Sequence, residues 1–295
     1  MIPLFKKYLH KLRAFFLSPV LTKEHTIKPN QVEQVMLSVK YKELYNSGFP
    51  KFEFKDIGFQ IYSQCEEDGI LLYIFSIIGT TNKKCVEICL GDVLESNTTN
   101  LILNHRWVGL LFDGSSENIK KSNNFYKNNQ NTYLWPPKSI CKWITKGNIN
   151  SIILENDFHG EIDFLSIDID GNDYWIWKEI SCISPRVVIV EYNHLWAYEK
   201  SVTVPYADNF KAEFSEYGSD YAGASLMAFI KLAKEKGYLY IGSNEISTNA
   251  FFLRNDIQNK WLPARDPSAF FSHPRAVFGM TKRFDSIKEK PWENV

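Results

Sequence analysis

The sequence lacks the features that mark several common classes of protein. Its 34 Lys and Arg residues balance 34 Asp and Glu residues, so no positive field indicates a nucleic-acid partner and no acidic excess indicates disorder. Its five cysteines include no CxxC pair, which argues against a disulfide framework and a zinc site. We read Cys85 and Cys89 as small core residues. This cysteine usage is typical of a cytoplasmic protein with small-molecule or locally recognised partners.

Long apolar runs and phosphate-binding glycine clusters are also absent. Without a GxGxxG motif, a cofactor bound through a pyrophosphate is disfavoured. Residues 1–20 place aromatic and leucine side chains at helical spacing among lysines, and are too often interrupted for a membrane span or a signal peptide. We expect a short helix that packs on the domain or on a second subunit. The alternative is a helix lying on the inner face of an anionic membrane.

Short apolar runs alternate with helical ones from about residue 63, which is typical of a parallel sheet flanked by helices. The predicted strands are 85–90, 107–112, 132–135, 162–169, 186–190, 238–241 and 250–253, and the predicted helices are 68–78, 98–104, 118–127, 149–156, 174–180 and 225–236. We expect a helical and loop extension at 1–60, one domain at 61–255 and a wrapping tail with little regular structure at 256–295. The polar and aromatic insertion at 195–222 is long enough to be a lid.

The most informative stretch is 161–177, EIDFLSIDIDGNDYWIW, where an apolar run ends in Asp168, Asp170 and Asp173. Buried strands usually lead into neutral turn residues, so three carboxylates in one turn indicate a site for a cation, a hydroxyl group or a proton. Ligands of such sheets bind beyond the carboxyl ends of the strands. The other central strands also end in acidic or amide residues: Glu87 with Gly91 and Asp92, then Asp113, then Glu191 with Asn193.

A rim rich in carboxylates suits a cationic, hydroxylated cofactor better than a phosphorylated one. S-adenosylmethionine has a sulfonium, an ammonium and a ribose but no phosphate, and therefore fits. Asp113 follows Gly91 by 22 positions, the spacing at which a carboxylate after the second strand binds a ribose diol.

The order of motifs SQCEEDGI, VEICLGD, GLLFDG, DFLSIDIDGNDYW, VVIVEYN, GASL and NAFF resembles the FkbM-like branch of the class I S-adenosylmethionine-dependent methyltransferases over roughly residues 61–253. The resemblance implies an α/β, Rossmann-like fold with a seven-stranded, mostly parallel sheet of order 3-2-1-4-5-7-6 and an antiparallel last strand. The chain departs from the wider methyltransferase pattern at Cys89 and Val93, where glycines are common.

The same resemblance implies roles for individual residues of the cofactor site. Glu87, Gly91 and Asp92 would stand at the methionine end of the cofactor, and Asp113 would bind the ribose hydroxyls. Gln64 and Asp68 match the segment that closes over the cofactor.

The ends of the fourth and fifth strands resemble the metal site of catechol-type O-methyltransferases, with Asp168 or Asp170 beside Glu191 and Asn193. Hard oxygen ligands of this kind suit magnesium or calcium. A bound cation or a base would lower the barrier to deprotonation of a hydroxyl group, and His194 is the first candidate base, with Asp170 the second. In the alternative without metal, Asp168 and Asp170 divide two roles, one capping the following helix and one binding the cofactor ammonium.

The sequence therefore predicts methyl transfer to a hydroxyl group of a sugar or glycan precursor, in carbohydrate modification for surface polysaccharide biosynthesis. The substrate part of this prediction rests on the family resemblance. Two alternatives remain: a non-catalytic binding or assembly protein that keeps the fold, for which Cys89 and Val93 are the evidence, and nucleotide-sugar chemistry without methyl transfer.

Overall fold

The computed structural model describes residues 31–216 and 218–295. Residues 38–295 form one compact unit that contains the whole sheet, and residues 31–37 belong to a separate unit. The amphipathic segment predicted at residues 1–20 lies outside the described residues. Within the described ranges no helix combines the length and the apolar character needed to cross a membrane.

A seven-stranded sheet forms the centre of this unit. Its strands are β1 (Lys84–Ile88), β2 (Val108–Asp113), β3 (Lys138–Cys141), β4 (Gly160–Ile167), β5 (Ile183–Glu191), β6 (Tyr238–Ser243) and β7 (Asn249–Arg254). They lie in the order β3-β2-β1-β4-β5-β7-β6. All pairs from β3 to β5 are parallel, and β7 runs antiparallel to both of its neighbours. The predicted fold and strand order are confirmed.

Helices precede the sheet, connect most of its strands and follow it in the sequence. They are α1 (Gln31–Asn46), α2 (Phe54–Ile57), α3 (Glu67–Ile78), α4 (Thr99–His105), α5 (Ser116–Asn128), α6 (Ile149–Glu155), α7 (Asp173–Glu179), α8 (Leu226–Glu235) and α9 (Pro274–Phe278). The apolar runs of β4 and β5 are buried on both faces, as expected for interior parallel strands. Ser225 caps α8, since its side chain accepts a hydrogen bond from the backbone N–H of Ala228.

The third strand was predicted at the wrong position. Residues 129–134 form turns, and β3 begins only at Lys138. Pro136 and Pro137 lack backbone N–H donors and separate the apolar residues 133–135 from the strand. Tyr133, Leu134 and Trp135 are exposed, so their apolar character is not a sign of burial here.

The insertion and the tail contain more regular structure than the sequence predicted. In the insertion, Glu213–Ser215 and Gly218–Tyr221 form a small antiparallel pair. In the tail, α9 continues into a π-helical turn, Gly279–Arg283, and a 3-10 turn, Phe284–Ser286. These short elements bring polar side chains back to the carboxyl edge of the sheet.

Candidate active site at the strand ends

The three acidic residues of the turn after β4 do different things. Asp173 is buried, its Oδ1 accepts the backbone N–H of Ile169 at 2.7 Å, and its Oδ2 accepts that of Gly171 at 2.9 Å. Burial raises its pKa to about 6. Asp173 therefore shapes the turn. Asp170 is exposed, with a φ of 52°, a left-handed conformation that non-glycine residues seldom adopt outside functional turns.

Asp168, Asp170 and Glu191 come together as predicted. One carboxylate oxygen from each lies within 4.8 Å of the others. Asp168 and Glu191 are hydrogen-bonded to each other. Burial, followed by the neighbouring carboxylates, raises the pKa of Asp168 to about 7 and that of Glu191 well above its ordinary range. Carboxyl groups this close favour a state in which they share one proton over a state in which both are ionised.

Asn193 and His194 line the same cavity as Asp170 and Glu191. Asn193 is held by hydrogen bonds within the protein, and His194 is held by packing. The Asn193 amide donates to the carbonyl oxygens of Asp220 and Ala222 at 2.9 and 3.0 Å, and its Oδ1 accepts the N–H of Leu195 at 3.1 Å. His194 is buried, and its Nε2 has no hydrogen-bond partner in the described structure. A Cβ on Gly279 would lie 2.5 Å from that nitrogen, so the ring packs against the Gly279 backbone.

The electrostatic surroundings of His194 also bear on its predicted role. Burial is the main cause that lowers its pKa to about 4, and the positive charges of Arg283 and Arg275 lower it further. A general base at neutral pH works best with a pKa near 7. The lowered pKa of His194 does not match this requirement, and Asp170, the second candidate base, is exposed at the same cavity that His194 lines.

Asp113 joins the ends of β1 and β2. Its Oδ2 accepts the backbone N–H of Gly91 at 2.8 Å, and its Oδ1 accepts that of Ser115 at 2.7 Å. Gly91 has a φ of 59°, a conformation that glycine adopts without strain. Asp92 is exposed and its carboxylate accepts the N–H of Leu94. Both acids thus lie at the predicted edge of the sheet.

Glu87 lies deeper than the other strand-end acids. Its carboxylate accepts hydrogen bonds from the hydroxyls of Ser96 and Thr98 and from the backbone N–H of Asn97 at 2.9 Å. Burial raises its pKa to about 7 although these donors oppose the shift. In this structure Glu87 therefore holds the loop between β1 and α4.

The segment before α3 is organised by Asp68. Its Oδ2 accepts the backbone N–H groups of Ile61, Tyr62 and Ser63 at 2.8, 2.6 and 2.9 Å. Its Oδ1 is buried without a partner among the described residues, and burial raises its pKa to about 6. Gln64 is exposed and lines a cavity of about 230 Å³ at this edge.

A small cavity of about 60 Å³ lies beside Asp113. It is lined by Cys89, Asp113, Gly114, Lys142, Trp143, Ile144, Ile169, Asn172 and Phe210. Two glycines let aromatic rings approach the strand ends, since a Cβ on Gly171 would collide with the Phe210 ring and one on Gly114 would lie 2.9 Å from the Trp143 ring. Cys89 lines this cavity with a φ of 67°, so its assignment as a core residue was wrong. Val93 is buried.

Asn172 was missed by the sequence analysis. It is buried and lines the small cavity. Its Nδ2 donates to the carbonyl oxygen of Ala207 at 2.8 Å, while its Oδ1 has no partner in the described ranges. A buried acceptor without a donor is costly, which makes it a candidate ligand contact. It lies within the acidic motif, IDGND, and that position was the available signal.

A larger cavity of about 230 Å³ lies on the other side of the acidic turn. The predicted residues Gln64, Asp170, Glu191, Asn193 and His194 line it, together with Tyr192, Leu195, Phe214, Ala222, Gly223, Thr248, Arg275 and Arg283. The two arginines come from the tail and had no signal in the sequence. Residues of the acidic turn thus line both cavities, Ile169 and Asn172 the small one and Asp170 the larger one.

No protein-family model matches the chain, and no curated protein matches it. Solved structures do match. One is the methyltransferase domain of bacterial CtHen1-C, at 12% identity and a TM-score of 0.41, covering 64% of this chain and 97% of that one. Another is PKMT2 from Rickettsia typhi in complex with AdoHcy, at 12% identity and a TM-score of 0.39, covering 62% of this chain and 51% of that one.

A third similar structure is a putative caffeoyl-CoA O-methyltransferase from Staphylococcus aureus, at 10% identity and a TM-score of 0.37, covering 79% of this chain and 99% of that one. Likenesses this distant do not assign a family or a substrate, and the fold follows from the strand order and directions. The chain has the Rossmann-like fold of class I methyltransferases.

Proposed function

We propose that the chain is an S-adenosylmethionine-dependent O-methyltransferase. The observation that carries this proposal is a pair of acceptors at the small cavity that can each take a further donor: Oδ1 of Asp113, which accepts the N–H of Ser115, and the buried Oδ1 of Asn172, which has no partner among the described residues. An adenosine offers two ribose hydroxyls and one exocyclic amino group as donors. These donors match a carboxylate and an amide oxygen on one cavity wall, with no phosphate to be accommodated.

The walls of the cavity suit a planar base. Ile144 and Ile169 are apolar, and the rings of Trp143 and Phe210 lie against Gly114 and Gly171. A volume of about 60 Å³ holds only a few water molecules. The segment that carries Phe210 therefore has to move aside for a base to enter, which is the behaviour expected of the predicted lid. Trp143 ties this segment down by donating from Nε1 to the Asp208 carbonyl at 2.6 Å.

The larger cavity is the proposed acceptor site. When bound, S-adenosylmethionine supplies an electrophilic methyl group, and the protein's task is to align an acceptor hydroxyl with it. Asp170 and Glu191 line the cavity, and their carboxylates can accept the hydrogen bond and then the proton of that hydroxyl. Gln64 and Thr248 add neutral polar groups. A sugar or glycan precursor remains the acceptor class, as implied by the resemblance to FkbM-like enzymes.

We also propose that Asp168, Asp170 and Glu191 can hold a divalent cation. Their oxygens are close enough to share one ion, and hard oxygen donors suit Mg²⁺ or Ca²⁺. Asn193, the fourth predicted ligand, is engaged by the 220–222 segment and by Leu195. A cation at the three carboxylates would displace the proton that Asp168 and Glu191 share.

Cys89 favours a second candidate, a binding or assembly protein without catalysis. A cysteine in the left-handed conformation fills space at the cavity wall, where glycine would leave it open. Titration calorimetry with S-adenosylhomocysteine separates the two candidates. We expect saturable binding with one site per chain, and labelled methyl transfer to a hydroxylated acceptor from a panel of sugars. Absence of binding to the folded protein would contradict the enzyme assignment.

A further inference from the structure

The larger cavity contains two positive charges that methyl transfer to a neutral hydroxyl does not require. Arg275 lies in α9, and Arg283 ends the π-helical turn that follows it. Both side chains line the cavity, as do the carboxylates of Asp170 and Glu191. The acids come from the strand ends and the arginines from the tail, so distant segments of the chain contribute the two charge types to one cavity.

The two arginines differ in how their charge is compensated. Arg283 is buried and forms an ion pair with the buried carboxylate of Asp220, to which its Nε donates at 2.6 Å. Arg275 is exposed. Its backbone N–H donates to Nδ1 of His273, and its guanidinium makes no ion pair with any residue in the described ranges. Arg275 is therefore the cation at this cavity that is open to a ligand.

The field of Arg275 reaches the interior of the cavity. After burial, the positive charges of Arg283 and Arg275 are the causes that lower the pKa of His194. The thiol of Cys65, beside Gln64, also experiences the charge of Arg275. The guanidinium thus faces the cavity wall formed by His194 and the segment before α3.

We propose that Arg275 binds an anionic group of the methyl acceptor, a phosphoryl or a carboxylate, while the acceptor hydroxyl faces Asp170 and Glu191. This proposal rests on the proposed function, because it assigns the acceptor to the same cavity. A planar guanidinium can bind two oxygens of such an anion at once, and a free cation at a cavity mouth raises the local concentration of anionic ligands.

The test measures the thermal unfolding midpoint of the full chain against inorganic phosphate and acetate at constant ionic strength. We expect one of these anions to stabilise the wild-type chain in a saturable manner, as a ligand of the folded state does. In Arg275→Gln, the anion concentration that gives half of the maximal stabilisation should rise about 10- to 100-fold, as expected for loss of a charged hydrogen bond. Arg275→Lys keeps the positive charge but loses the planar guanidinium that binds two oxygens at once. The anion concentration for half of its maximal stabilisation should lie between those of the wild-type chain and Arg275→Gln.

Lys282→Gln is the matched control, because Lys282 is an exposed cation next to Arg283 that does not line the cavity. It should behave as the wild-type chain does. Equal stabilisation of wild type and Arg275→Gln, or no saturable stabilisation by either anion, would overturn the proposal. Glucose 6-phosphate and glucuronate, each compared with glucose, then show whether the anion is a phosphoryl or a carboxylate.

Calorimetry with S-adenosylhomocysteine on the same variants keeps the two proposals distinguishable. Both arginine variants should bind it as tightly as the wild-type chain. If cofactor binding is intact but the anion effect does not depend on Arg275, the proposal of an anionic acceptor is wrong and the methyltransferase proposal stands. Failure of cofactor binding in every variant, with the anion effect retained, would remove the methyltransferase assignment and leave Arg275 as an anion site without a methyl acceptor.

Discussion

The carboxylate of Asp113 accepts the backbone N–H of Gly91 at 2.8 Å. This hydrogen bond connects the turn after β1 with the end of β2, and it fixes the direction of a carboxylate that also lines the small cavity. Oδ2 accepts the Gly91 N–H and, at 3.3 Å, the side-chain amide of Asn118. Oδ1 accepts the N–H of Ser115 and therefore retains a lone pair for a further donor.

Asp113→Asn should weaken binding of S-adenosylhomocysteine about 10- to 100-fold, because charge-assisted hydrogen bonds to the ribose become neutral or are lost. Titration calorimetry measures the change. Asp157→Asn is the control, since Asp157 is exposed and has a φ of 64° that asparagine tolerates. Equal affinities in the two variants would show that Asp113 does not contact the ligand.

The chain should bind S-adenosylhomocysteine about tenfold more tightly than S-inosylhomocysteine, in which an oxo group replaces the amino group of the base. The reason is that the Asn172 Oδ1 would then face a second acceptor and stay unsatisfied. Competition calorimetry gives the ratio. In Asn172→Ala, the ratio of the two affinities should fall toward one. A ratio that stays near ten would show that the amino group of the base contacts another residue.

Mg²⁺ should raise the thermal unfolding midpoint of the wild-type chain, and more strongly at pH 8 than at pH 6, because the carboxyl groups must lose their shared proton to bind it. Glu191→Gln should abolish the effect, whereas Glu155→Gln, at an exposed position on α6, should not. If the midpoint does not respond to Mg²⁺ at pH 8, the three carboxylates act without a metal.

His194 should make the folded chain less stable in mild acid. Its pKa is about 4 in the folded state and about 6.5 when unfolded, so the unfolded chain binds the extra proton between these values. The contribution of neutral, buried His194 to the free energy of unfolding is fully present above pH 6.5 and is lost as the pH falls toward 4. Between pH 7 and pH 5 the loss is about 2 kcal/mol.

Urea unfolding of wild type and His194→Gln at both pH values measures this contribution. The variant should lose less stability on acidification than the wild-type chain. His159→Gln replaces an exposed histidine and should follow the wild type. Parallel losses in wild type and His194→Gln would show that another group controls the acid response.

Arg186→Met should lower the free energy of unfolding by about 3 kcal/mol, as expected when a buried ion pair loses one partner. Arg186 donates to the buried carboxylate of Asp163 at 2.9 Å and to the carbonyl oxygens of Ile78 and Gly79. Lys138→Met disrupts the exposed pair with Asp157 and should cost less than about 1 kcal/mol. Urea unfolding that gives similar values for both variants would contradict a structural role for the buried pair.

The acidic turn shows how much of the site could be predicted from the sequence. Asp168, Asp170 and Glu191 follow neighbouring strands, and parallel strands place their carboxyl ends at one edge, so their proximity could be expected. The division of labour could not. Asp173 was grouped with the others, yet its two oxygens accept hydrogen bonds from the backbone of the turn itself. Which of the three carboxylates points toward these N–H groups depends on the direction of the backbone in the turn.

The positions of His194 and Arg275 could not be predicted for a different reason. His194 follows the β5 acids in sequence, but a helical turn directs its Nε2 toward Gly279. Arg275 comes from a proline-rich tail without periodicity, and long-range packing alone brings it to the cavity that Gln64 lines.

The sequence by itself determined six of the seven strands, the strand order through a family resemblance, and the edge of the sheet at which the acidic residues gather, since apolar runs and their acidic ends are local patterns. The tertiary structure decided which polar atoms remain available. Hydrogen bonds from the loop after β1 engage Glu87, and hydrogen bonds to the 220–222 segment engage Asn193. Asn172 keeps an acceptor without a hydrogen-bond partner, and Arg275 keeps a charge without an ion pair, in the described ranges. Such long-range bonds depend on how loops fold back onto the sheet, and no local pattern in the sequence specifies that packing.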